Sequence, residues 1–230
     1  MLLPGIAVTA VMLAAMIVHM ETVFALFSAK PVFSLYPHST DTAIFFPHVI
    51  EGTSLIAERM AAYDGPFVED GSNAAATGIA ALVLHNGGTQ PLSHIRVELR
   101  QKTRCLIFEA QTLLPGDTVM ILEKERQLHE QSPYSSCRGD VTIDDSTWLE
   151  TETVRVTVLK ENELLVQNQS NRYLHNVCLE HKRWMEETGI YIGGITYVTW
   201  VGDLAPGQHK TVFADNFTQS THRFVRITCS

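Results

Sequence analysis

The chain lacks most of what would declare a chemistry. Four cysteines in 230 residues, Cys105, Cys137, Cys178 and Cys229, include no C-x-x-C pair, which excludes the common zinc and dithiol arrangements. Lysine and arginine number 17 against 25 acidic residues, for a net charge of -8. A nucleic-acid binder needs clustered cations to displace the counterions of the phosphate backbone, and here they are scattered and outnumbered, so no nucleic-acid partner is expected. There is no G-x-S-x-G, no H-E-x-x-H and no phosphate-cradling glycine loop, and no two of the ten histidines stand three or four apart on a helix-like stretch. No catalytic residue, no metal ligand and no cofactor is therefore assigned, and the chain is not expected to be an enzyme. An enzyme would have to gather dispersed polar residues, for instance His175, Glu180, His181 and Asp203.

Basic residues are also missing from the N-terminus, where none precedes Lys30. Instead Leu2 to Met20 is a run of 19 residues without a charge. At ~1.5 Å per residue a helix of that length covers about 28 Å, close to the hydrocarbon thickness of a bilayer, and continuing to Phe27 allows tilt. Residues 2–27 are read as a membrane-crossing helix. A cleaved signal would need a positive start and small residues before the cut, and Phe27-Ser28-Ala29 places Phe where a small residue belongs. Residues 1–29 are thus expected to be an uncleaved single-pass anchor in the cell membrane. The short polar turns and strands that follow suggest that the C-terminal domains are extracytoplasmic, whereas the lone Lys30 argues for the other side.

What the chain does have is a stretch that returns. Leu82-Val83-Leu84-His85-Asn86 matches Leu164-Leu165-Val166-Gln167-Asn168, 82 positions on, and the same offset carries Leu92 to Leu174, Ile95 to Val177, Val97 to Leu179 and Glu98 to Glu180. Leu113-Leu114-Pro115-Gly116 then matches Leu204-Ala205-Pro206-Gly207 at an offset of 91, so the second copy holds nine extra residues, placed between Lys182 and Gly194. Apolar and polar residues alternate through both copies, the mark of strands with one face in a core. Asn86-Gly87-Gly88 and Pro115-Gly116 close the first copy, and Asn168 to Asn171 and Pro206-Gly207 the second. Strands are expected over 78–85, 94–101, 104–111 and 118–124, then over 151–159, 163–168, 174–182, 196–201, 209–214 and 223–229. The fold class is mainly β, an N-terminal transmembrane helix followed by two tandem β-sandwich domains over 73–145 and 146–230.

Residues 30–72 hold Pro31, Pro37, Pro47 and Pro66 and are expected to form a stalk or linker, with one short helix between Gly52 and Tyr63. Glu125 to Arg138 is polar and is expected to be a long mobile loop. Cys178 falls on the outward parity of its strand and Cys229 on the inward one, which argues for free thiols. Three local motifs are weak. Asp140, Asp144 and Asp145 could belong to a calcium loop but lack its spacing, and Arg138-Gly139-Asp140 is a common tripeptide. Asn168-Gln169-Ser170 and Asn216-Phe217-Thr218 fit the glycosylation pattern, which has meaning only in a eukaryotic secretory route.

The repeated pattern, a strand, an Asn-Gly turn, Leu-x-x-Ile-x-Val-x-Leu, another strand and Leu-x-Pro-Gly, is carried by Leu84 to Leu99 with Leu113 to Gly116, and by Val166 to Leu179 with Leu204 to Gly207. It resembles the immunoglobulin-like modules of uncharacterised, membrane-anchored surface proteins of Gram-positive gut bacteria. The resemblance covers roughly residues 75 to 229 and its motifs are turn and core positions, so it implies fold and carries no activity. The expectation is a non-enzymatic, membrane-anchored extracytoplasmic protein for interaction or scaffolding at the cell envelope, with a protein or glycan partner, and the alternative is a carbohydrate- or peptide-binding module using the Trp184–Tyr191 loop. The residues to carry such binding are Trp184 and Tyr191 of the inserted loop, with Tyr197 and Trp200 just beyond it. Aromatic residues on a loop serve binding when exposed and serve as a cap on the core when folded back.

Overall fold

A computed structural model of the chain describes residues 43–146, 148–149 and 152–229. The expected anchor over 1–29 and the first part of the expected stalk lie outside the described residues. Among the described residues no helix is long and apolar enough to cross a membrane.

The protein is mainly β, with several sheets. Strand β1 (His48–Val49) lies on the edge of β2 (Leu55–Phe67), which pairs in turn with β3 (Ala74–Asn86) and, through it, with β6 (Thr118–Leu122). Across from these, β4 (Leu92–Arg100) is flanked by β5 (Cys105–Leu113) and β7 (Ser136–Ile143) in a three-stranded sheet. In β4, Leu92, Ile95, Val97 and Leu99 are buried while Arg96 and Glu98 are not, as a two-residue period requires. These side chains meet Leu82 and Leu84 of β3, Val119 and Ile121 of β6, and Leu106 and Phe108 of β5 in one apolar cluster.

The rest of the chain adds β8 (Val154–Lys160), β9 (Glu163–Asn168), β10 (Leu174–Met185), β11 (Ile190–Ile192), β12 (Tyr197–Leu204), β13 (His209–Phe213) and β14 (His222–Thr228). Strands β8, β9 and β13 make one three-stranded sheet, and β10 is flanked by β12 and β14. Between them lies a second cluster that includes Val154, Leu164, Val166, Val177, Leu179, Val201 and Ile227.

The main-chain bonding of the two halves coincides at the offsets of 82 and 91 read from the sequence. Asn86 N donates to Asp117 O and Gly116 N to Asn86 O, as Asn168 N donates to Gln208 O and Gly207 N to Asn168 O. The side-chain amide of Asn86 donates to Gln90 O and Leu113 O, and that of Asn168 to Arg172 O and Leu204 O. Both asparagines are fully buried, so each amide satisfies carbonyls that would otherwise be stranded in a core. Ladder registers agree too: His85 faces Thr118 as Gln167 faces His209, and Leu92 faces Leu113 as Leu174 faces Leu204. His94 and Asn176, again 82 apart, both take positive φ (49° and 52°) at a bulge. The Asn168 glycosylation pattern is therefore unusable in the folded protein, because its amide nitrogen is engaged inside.

Several expectations are corrected. Residues 55–67 are a strand where a short helix was expected, and 48–67 belong to the sheet where a linker was expected. The cause is a bulge between Ala57 and Arg59, which spaces the residues facing Leu84 and Leu82, Ala57 and Met60, by three and so imitates a helical repeat. Arg138-Gly139-Asp140 lies within β7, paired to β4, and Gly139 is required there because a Cβ would meet Ile50 Cγ2 at 2.7 Å. The long loop begins only after Lys124 and is tied down: Glu123 accepts the amides of Glu125 and Gln127, His129 N donates to Gly78 O, and Tyr134 is buried in the first cluster. All four cysteines are free.

Candidate functional site

The nine extra residues of the second half have a specific place. They lengthen β10 to Met185 and add β11, which pairs in parallel with β6, Tyr191 against Val119 and Ile192 against Met120. Gly193 N then donates to Met120 O, and Gly194 is held from both sides, its N–H donating to Glu69 Oε2 and its carbonyl accepting from Gln111 N. A Cβ at Gly194 would overlap the carbonyl of Glu109, so only glycine permits this approach. The insertion thus clips the second half onto the edge strands of the first, and residues 41–230 form one compact unit.

That placement separates the four aromatic residues expected to bind. Tyr191 is only 9 % exposed and belongs to the first apolar cluster, with Trp184 packed edge-on against it at 5.1 Å and half-buried. Trp184 Nε1 donates to Glu186 and Arg223 lies over its ring. Tyr197 stacks on His181 at 5.3 Å. Trp200 stands apart, 61 % exposed.

Charge collects in the seam between the halves. Lys182 is 1 % exposed, and its Nζ donates to Thr112 O at 2.7 Å. Burial lowers its pKa to about 8, against the pull of Glu69, Asp117 and Glu180. Glu69 accepts the amides of Leu122 and Gly194 at 2.7 and 2.8 Å, and burial still raises its carboxyl to about 7. Glu69 also lines a cleft of about 490 Å³ with Arg96, Glu109, Lys124 and Gly194, in which Glu109 bridges Arg96 and Lys124 at 2.6 Å each. Arg96 and Lys124 are thus both paired with Glu109, while Glu69 is bonded to backbone amides.

A second cleft, of about 480 Å³, opens beside Trp200 and is also lined by Asp144, Ser146, Asn176, Glu180, Arg226 and Cys229. Arg226 is its anchor. Its Nη1 lies 2.6 Å from Asp144 Oδ2 and donates to Ser146 Oγ, its plane lies over Trp148, and its Nε is 3.0 Å from Glu180 Oε2 but off the line of a hydrogen bond. The side chains of Arg226 and of both carboxylates are about nine-tenths buried, at 9 and 11 % exposure. Burial would lower the Arg226 pKa, but Glu180 and Asp144 outweigh it and raise it. Sequence reasoning missed Arg226 and weighed Asp144 only beside Asp140 and Asp145, because Arg226 and Asp144 come together only through the pairing of Trp148 with Thr228.

His175, Glu180, His181 and Asp203 do not converge on one site. His175 meets Asp203 at 3.6 Å on the surface, His181 is buried among Tyr197, Phe217, His222 and Phe224, and Glu180 faces Arg226. Among the described residues no group of three or more His, Cys, Asp or Glu could hold a metal ion. No family model and no curated protein matches the chain.

Proposed function

We propose that the protein is a non-enzymatic, membrane-anchored extracytoplasmic protein whose two tandem immunoglobulin-like β-sandwich modules serve interaction or scaffolding at the cell envelope. The observation that carries the reading is the bond-for-bond agreement around Asn86 and Asn168. In each half the strand that follows the first Asn turn (β4, β10) crosses to a facing sheet and pairs with a later strand (β5, β12), and the chain then returns to the strand it left (β6 to β3, β13 to β9), which supports a Greek-key, immunoglobulin-like reading. The clip at Gly194 holds the two halves as one body, so a partner would meet a surface of fixed shape. The anchor through residues 2–27 rests on their composition.

Protease added to intact cells tests the reading. The fragment beyond residue 30 is expected to be digested from outside, with a short N-terminal fragment kept in the membrane fraction. Full protection of that fragment until the cells are opened would contradict it. A second reading, a carbohydrate- or peptide-binding module, is favoured by one observation, the exposure of Trp200 above a polar cleft.

A further inference from the structure

We propose that the cleft at Trp200 is a binding site for a neutral oligosaccharide, an inference that rests on the envelope reading above and names its ligand class. Trp200 stands exposed on β12 beside Val198, at the rim of the cleft, and a pyranose face offers C–H groups that pack on an aromatic ring. Beside the ring stand hydrogen-bonding groups suited to sugar hydroxyls. Asp144 and Glu180 are acceptors held in place by Arg226, and Ser146 is a donor and acceptor. These groups are pre-positioned by bonds internal to the fold, which lowers the entropy lost when a ligand orders them.

The charge of the lining selects among ligands. Asp144 and Glu180 outnumber Arg226, whose guanidinium is already committed to them, so the cleft carries one excess negative charge. A phosphate or uronate would be repelled and would find no unshared cation among the lining residues. The first cleft, by contrast, has no Trp, Tyr or Phe in its lining, and its Arg96 and Lys124 are both taken by Glu109. Cys229 lines the Trp200 cleft as a free thiol and reports on its occupancy.

The test uses the full chain in a detergent without a sugar headgroup, with maltotriose, cellotriose and chitotriose as probes. Saturation-transfer NMR measures binding, and alkylation of Cys229 followed by mass spectrometry measures shielding. At least one trisaccharide is expected to bind saturably and to slow alkylation at least two-fold. Trp200→Ala should weaken that binding ten-fold or more, while Trp184→Phe should leave it within two-fold. The inference is overturned if none of the three binds, if Trp200→Ala binds as the parent does, or if an oligolysine peptide binds and the sugars do not. A protein digested from outside the cell yet indifferent to all three sugars would overturn this inference alone and leave the envelope reading standing.

Discussion

Around Asn86 the buried amide bonds the carbonyls of Gln90 and Leu113; around Asn168 it bonds those of Arg172, Leu204 and Ala205. The main-chain bonds of the two regions agree, while the side chains that fill the space differ. In the first half Ile50 packs over Gly139; at the matching place in β14 stands Ile227, which fills the volume itself. Glu123 and Lys124 cover the edge of β5 at Ile107, where the second half has Ala214 and Asp215 and blunts β12 with a bulge and with Lys210 on Val201 O. The lesson is that turn and ladder bonds constrain a β architecture more tightly than the identity of its core residues, because a stranded buried carbonyl costs more than a reshaped apolar contact.

Gly194→Val is the harshest way to break the comparison, since it attacks the one feature the second half has and the first lacks. Placing a side chain on the Glu109 carbonyl should destabilise the protein by about 3 kcal/mol, and the loss should appear as two separate unfolding transitions in denaturant. A single transition at the parent midpoint would show that the clip does not couple the halves.

Asn86→Ala and Asn168→Ala sharpen the comparison from the other side. Each leaves buried carbonyls without a donor, and each should cost about 2 kcal/mol by denaturant unfolding, with the two values similar. A neutral result at either position would mean that the shared bonds do not share a role.

The two regions should respond to acid in opposite directions, a smaller effect. Burial, with His222 adding to it, lowers His181 from its ordinary value to about 4. The unfolded chain therefore takes up a proton first, and the His181 contribution is complete above pH 6.5 and is lost as pH falls towards 4. Glu69, raised to about 7, contributes fully below its ordinary 4.5 and loses that contribution as pH rises through 7. Between pH 4.5 and 6.5, melting of His181→Phe should fall off less steeply with acid than the parent, and melting of Glu69→Gln more steeply. Identical pH profiles for all three proteins would contradict both assignments.

Much of this fold is legible in the chain. The period-two runs gave β3 to β6 and the strands of the second half to within a few residues, because those strands have one face inside and one outside. Strand β2 was hidden by its bulge, and β7 by the glycine that makes room for Ile50. Strand β11 has three residues and earns its pairing from a neighbour some 70 positions away, so no local pattern could announce it. The same limit governs the sites. Trp200 stands on the outer face of its strand between buried Thr199 and Val201, whereas the depth of Tyr191 and Lys182 is set by the first half folding over them.

Hydrogen exchange on the full chain, read residue by residue, tests the shared plan most directly. The amides of Asn86, Gly116 and Glu123 should exchange slowly, and so should those of Asn168, Gly207 and Ala214, their partners at offsets of 82 and 91. If either set exchanges at the rate of free peptide while the other is protected, the two halves do not share one architecture.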